Sequence, residues 1–219
     1  MNAATVLAQA MGLAYAAGLS VYATIAVSGL AIRAGWAGAP PGGLAALGSW
    51  WVIGIALALY AVEFTVTLIP GVASAWETLH SVIRPPAAAA LAAATAWHAD
   101  PVIVLVAAIL GGGVAVSTHT TKLGFRYAID TSPEPLTNAA ANVAELSLLS
   151  GLVLLVWQHP FISLAIALAI LVALMVMVRL VWRALKQVFS GRWMPGRGLL
   201  QDARTSDRMA PRAEDADWD

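Results

Sequence analysis

Apolar residues run along this chain in long blocks, at about 4–32, 45–69, 101–125, 138–157 and 161–182. Each block is near the length that crosses a bilayer as a helix. None shows the two-residue alternation of a barrel strand, and Ala, Leu and Gly dominate. Helices are therefore predicted, because each satisfies its own backbone groups in lipid. Small residues such as Gly12, Gly18, Gly29 and Gly111–Gly113 allow helices to approach closely. The first block follows no basic segment and reaches Arg33, so it is expected to stay as one span rather than be cleaved as a signal peptide.

The stretch between the second and third blocks reads differently. Val72, Trp76, Leu79 and Ile83 recur at helical spacing opposite Ser74, Glu77, His80 and Arg84, which predicts an amphipathic helix along the interface. Pro85-Pro86 is expected to end it. Ala87 to Trp97 is apolar but about half a span long. It reads either as a short sixth span or as a re-entrant segment shielded by other helices.

Composition sharpens this into a class. Of 219 residues 60% are hydrophobic and 11% charged, against about 25% charged in a soluble domain. The expected fold is all-α, a polytopic transmembrane bundle of about six spans, with five plus a re-entrant segment as the alternative. It occupies 1–190, and a solvated tail follows at 191–219, too polar to fold alone. Zero net charge argues against nucleic acid as a partner. The absence of cysteine removes thiol chemistry and cluster ligation. No cofactor or metal motif is present, and no zinc-protease, nucleophile-elbow, phosphate-loop or dinucleotide pattern points to an enzyme.

Basic residues set the orientation. Arg179, Arg183, Lys186, Arg192 and Arg197 cluster after the last block, so the C-terminus is expected in the cytoplasm. With six spans both termini lie inside, and Glu63 and Glu145 fall at the depth of His119 and Lys122. Trp36, Trp50, Trp51, Trp97 and Trp157 then form an outer belt, and Trp76, Trp182 and Trp193 an inner one. Gly18–Arg33 also aligns without gaps to Gly111–Arg126, a weak signal for an inverted repeat.

Intramembrane charge marks the candidate chemistry. Charges cost several kcal/mol in hydrocarbon, so those retained have partners or a task. His119, Lys122 and Arg126 share one helix face. Glu63 stands in an apolar run, and Glu145 follows Asn138 and Asn142 on one face. Glu63, His119, Lys122, Arg126 and Glu145 are the candidate substrate- or ion-binding residues, with His80, Arg84, Asn138 and Asn142 secondary. Snorkelling and packing pairs are the plainer alternative for the cations. Glu77 and His80 have metal-ligand spacing, but a solvated helix face explains them more simply.

Glu63, Ile69-Pro70, Trp76, His80, Arg84-Pro85, His119, Lys122, Arg126, Ser132-Pro133-Glu134-Pro135, Asn138 and Glu145 together resemble the bacterial membrane family catalogued as domain of unknown function 4126. The likeness covers roughly residues 10 to 185 and departs at Thr67-Leu68 and Leu146, where the family commonly has charged residues. It implies a multi-span inner-membrane protein and carries no activity with it. The expected function is a small transporter or lipid- or solute-handling protein with a buried polar site, not an enzyme. The alternative is a membrane scaffold or assembly factor. The expected partners are the bilayer, a small molecule, ion or lipid, and a second copy of the chain in a homo-oligomer.

Overall fold

A computed structural model describes residues 2–41, 43–69, 71–130 and 135–189. The described residues are helical and contain no strand, in the order α1 (Ala3–Leu19), α2 (Val21–Arg33), a 3-10 turn (Leu44–Gly48), α3 (Trp50–Val66), α4 (Val72–Thr95), α5 (Pro101–Asp130), α6 (Pro135–Gln158) and α7 (Pro160–Phe189). By length and composition α5, α6 and α7 suffice to cross a membrane, and α1, α2 and α3 are shorter apolar helices. This is the helical membrane bundle that hydropathy predicts. Two compact units divide the chain after Val178. The first contains the bundle. Of the second, the described part is the end of α7, with Trp182 70% exposed. The expected tail at 191–219 and the Ser132-Pro133-Glu134 motif lie outside the described residues.

The first apolar block is not one span. Ser20 is extended (φ −152°, ψ 116°), ending α1 and capping α2 by accepting from the Ala23 amide at 3.2 Å. α1 runs parallel to α5: Gly18 meets Ala115 and Thr118, and the Leu19 carbonyl meets Lys122. α2 runs antiparallel to α3, with Ser20 at Glu63 and Gly29 at Ile53. The two helices therefore form a hairpin with its tip inside the bundle. Both arms point toward the end that carries the α6–α7 turn, where Gly12 abuts Val156 and Ser163 and the Gln158 amide donates to the Trp36 carbonyl. The chain start thus lies at the end opposite Val178, which packs on Gly124 near the other end of α5. That corrects the expectation that the first block crosses as a single span. The physical cause is local: a serine hydroxyl can end one helix and start the next inside an apolar run.

α4 supplies a second correction. It continues through Pro85 and Pro86, so Ala87–Trp97 is neither a separate span nor a re-entrant piece. The prolines remove two helical donors, a loss tolerated where neighbouring protein covers the helix. α5 covers it closely, since a Cβ on Gly111 would sit 2.5 Å from the Ala92 Cβ. The periodicity of α4 is real but faces the other way. Leu79 and Val82 are 58% and 76% exposed, whereas Glu77, His80 and Arg84 are buried. In lipid the apolar face turns outward and the polar face makes the core.

The ends of the bundle follow suit. Trp36, Trp50, Trp51 and Trp97 are exposed at the hairpin's open end, while Trp157 is buried rather than belt-forming. The Gly18–Arg33 alignment joins a broken segment to part of the unbroken α5, so it does not pair helix with helix.

Candidate functional site

The tip of the hairpin meets α3, α4, α5 and α6 at one depth, about 20 Å along α3 from Trp50 and along α6 from Gln158 at the helical rise. Here Glu63, Glu77, Arg84, Lys122, Arg126 and Glu145 form a continuous ion network. Three carboxylates face three cations, so the ionised network is neutral. None of Glu63, Glu77, His80, Arg84, His119, Lys122, Arg126, Asn138 and Asn142 exceeds 7% exposure. Glu145 is the most accessible of the three acids, its side chain 19% exposed.

Arg84 is wholly buried and joins two acids. Its two terminal nitrogens donate to Glu63 and to Glu77, a forked geometry suited to guanidinium. One of them also donates to His119 Nδ1 at 2.8 Å. Glu77 and Arg84 are two turns apart on α4, so the helix itself sets their register. Glu63 accepts in addition from the Ser20 hydroxyl at 2.6 Å, tying α3 to the hairpin tip.

Lys122 reaches in from α5, donating to two oxygens and pairing with a second carboxylate. Its Nζ lies 2.6 Å from the Leu19 carbonyl, 2.5 Å from Glu145 Oε1 and 3.0 Å from Glu77 Oε1. The Leu19 carbonyl is available because the break at Ser20 ends α1 beside it. Glu63 stands farther off, at 3.8 Å. One turn on, Arg126 donates to the side-chain Oδ1 atoms of Asn142 and Asn138 and lies 3.9 Å from Glu145 Oε2. Asn142 then donates to the Thr67 hydroxyl at 2.9 Å, which links α6 to α3.

The two histidines are fixed by neighbours. His80 Nδ1 donates to the Trp76 carbonyl at 2.8 Å, leaving Nε2 to accept from Tyr22, 3.3 Å away. His119 accepts from Arg84 at Nδ1, so its Nε2 carries the proton that faces Ser81 Oγ (2.9 Å) and the Glu77 carbonyl (3.1 Å). Glu77 and His80 diverge to different partners and do not converge as ligands.

All nine residues singled out from the sequence thus lie in or beside one cluster. Glu77 was misplaced on a solvated face, although its spacing to Arg84 was readable. Ser20, the Leu19 carbonyl, Tyr22, Ser81 and Thr67 were missed. A Gly-Leu-Ser sequence inside an apolar block was the signal for the first two.

Two spaces adjoin the network. A void of about 10 Å³ lies among Tyr60, Glu63, Thr67, Asn142 and Glu145, at the lower limit of the space that can hold one water. A cavity of about 200 Å³ with an almost wholly apolar lining lies between the α1 tip, α5, α6 and α7, bordered on one side by Lys122, Arg126 and Glu145.

An apolar exterior around a charged interior defines a helical membrane protein. Within that class the chain belongs to the family described as Domain of unknown function (DUF4126), whose profile matches residues 7–180. No curated protein and no solved structure matches the chain.

Proposed function

We propose that this protein is a small transporter or lipid- or solute-handling protein, with Glu63, His119, Lys122, Arg126 and Glu145 forming its polar site. The observation that carries this reading is the apolar cavity that lies against Lys122, Arg126 and Glu145 beside the helix break after Leu19. Broken helices present free backbone groups and charge to solutes at membrane depth, and buried ionisable groups mark such paths. We place the C-terminal end of the chain in the cytoplasm, at a bacterial inner membrane, supported by Arg179, Arg183 and Lys186 near the end of α7.

Catalysis has less support. Ser81 and His119 resemble a nucleophile and base in distance, but Arg84 occupies Nδ1 as a donor. The proton then sits on Nε2, where a base needs a lone pair. A second reading, a scaffold whose charges are packing pairs, is favoured by the Leu19 carbonyl and the two carboxylates gathered at Lys122.

The chain has no cysteine, so one introduced thiol reports alone. Ala141→Cys lines the cavity and should react with the anionic reagent 2-sulfonatoethyl methanethiosulfonate. Val153→Cys, in the core, should not. Folded Ala141→Cys protein that stays unlabelled from both sides of a vesicle would overturn the solute reading in favour of the scaffold.

A further inference from the structure

The wall of the larger cavity is not balanced in charge. Its exposed lining is almost wholly apolar, with Leu19, Phe125 and Leu148 among its residues, while Lys122, Arg126 and Glu145 border it with their charged ends turned into the network. Glu63 and Glu77 lie behind this wall and hold Arg84. Once the Glu145 carboxylate is displaced, two cations are left at this border to take an anion. At about 30 Å³ per water-sized group, the space takes roughly seven non-hydrogen atoms. That matches a carboxylate with a short apolar chain, or the head and first carbons of a longer acid.

Neutrality of the network then imposes a condition. With three carboxylates and three cations ionised, an added anion leaves an uncompensated negative charge in a low-dielectric site, which is strongly disfavoured. One bound proton restores the balance. Glu145 is placed to take it, because its side chain is 19% exposed against 4% for Glu63 and none for Glu77. From α5 it is faced by Lys122 at 2.5 Å and Arg126 at 3.9 Å. From α3 it is faced by Glu63 and Tyr60 across the small void. α4 contributes Glu77 through their shared Lys122. α1 contributes the Leu19 carbonyl on that lysine, and α7 the apolar Leu174.

We propose that the cavity binds a small carboxylate bearing an apolar chain together with one proton on Glu145, an electroneutral pairing that rests on the solute-handling reading above. The ligand oxygens take the place beside Lys122 and Arg126 that the Glu145 carboxylate holds in this structure. The proton comes from water at the cavity mouth, and the resulting carboxylic acid donates a hydrogen bond instead of competing for the cations.

The test is calorimetric titration of the full chain in neutral-lipid nanodiscs. Sodium pentanoate probes the free-acid source and oleate the membrane source. Repeating the titration in two buffers of different ionisation enthalpy counts protons. One proton taken up per acid is expected, with Kd weakening about tenfold per pH unit across the range of uptake. Glu145→Gln should bind with no uptake and a flat pH profile, and Leu148→Trp should lose binding. Binding of either acid with uptake supports the proposal and identifies the source. Binding of wild-type protein without proton uptake overturns it, a result that stands even where Glu145→Gln fails to fold. Failure of both acids to bind also overturns it, and labelling of Ala141→Cys in that case leaves the solute reading standing.

Discussion

Glu77→Gln removes one negative charge from the centre of the network while keeping the side-chain shape. In the native protein Glu77 is fully buried and contacts both Arg84 and Lys122. Without it the site holds three cations against two acids, and Lys122 keeps Glu145 and the Leu19 carbonyl. Removing one partner of a buried ion pair costs about 3–5 kcal/mol. For a chain of this size each kcal/mol lowers Tm by about 2–4 °C, so a fall of about 6–20 °C is expected in thermal unfolding of the purified protein in detergent. The double variant Glu77→Gln with Lys122→Met restores the balance between Arg84 and Glu63 and between Arg126 and Glu145. It should be more stable than the sum of the single losses by about 1–3 kcal/mol. A Glu77→Gln protein melting within about 2 °C of wild type would show that the network contributes little to folding, and the charge ledger behind the cavity would fall with it.

Ser20→Ala removes both the cap of α2 and the hydrogen bond to Glu63. A loss of about 1–3 kcal/mol in unfolding free energy is expected, and a loss under about 0.3 kcal/mol would mean that the hairpin tip is held elsewhere. Gly111→Leu places side-chain atoms where a Cβ already meets Ala92 at 2.5 Å. It should cost at least about 1–3 kcal/mol by overpacking, whereas Gly113→Leu, with open space around it, should be near neutral in the same melt. Arg33→Ala deletes a guanidinium 4.2 Å above the exposed Trp50 ring and should cost about 1 kcal/mol or less. A larger loss there would mean that the open end of the hairpin depends on this contact.

The class of fold was legible in the sequence because hydropathy reports transfer free energy residue by residue. Blocks from about 101 to 182 became α5, α6 and α7 with little change. The candidate site was legible for a related reason: an ion in an apolar run is costly wherever the run folds, so Glu63, Lys122, Arg126 and Glu145 stood out one at a time. Direction along the chain was not legible. The first block has the composition of one span, and only Ser20, with the Leu19 carbonyl turned toward Lys122, makes it a hairpin. The facing of α4 was likewise hidden, since a stripe of Glu77, His80 and Arg84 looks the same whether it meets water or other charges.

What the sequence determined by itself is therefore a membrane solvent, a helical repertoire and the identity of the costly residues, because these depend on local composition. What the tertiary structure decided is who neutralises whom. Arg84 joins acids from α3 and its own helix, Lys122 draws on α1, α4 and α6, and Arg126 is held by two asparagines. Such pairings depend on distances of a few ångströms between segments far apart in the chain, where Coulomb energy in a low dielectric changes steeply. That distance dependence is the physical reason a buried, balanced network appears only once the helices are packed.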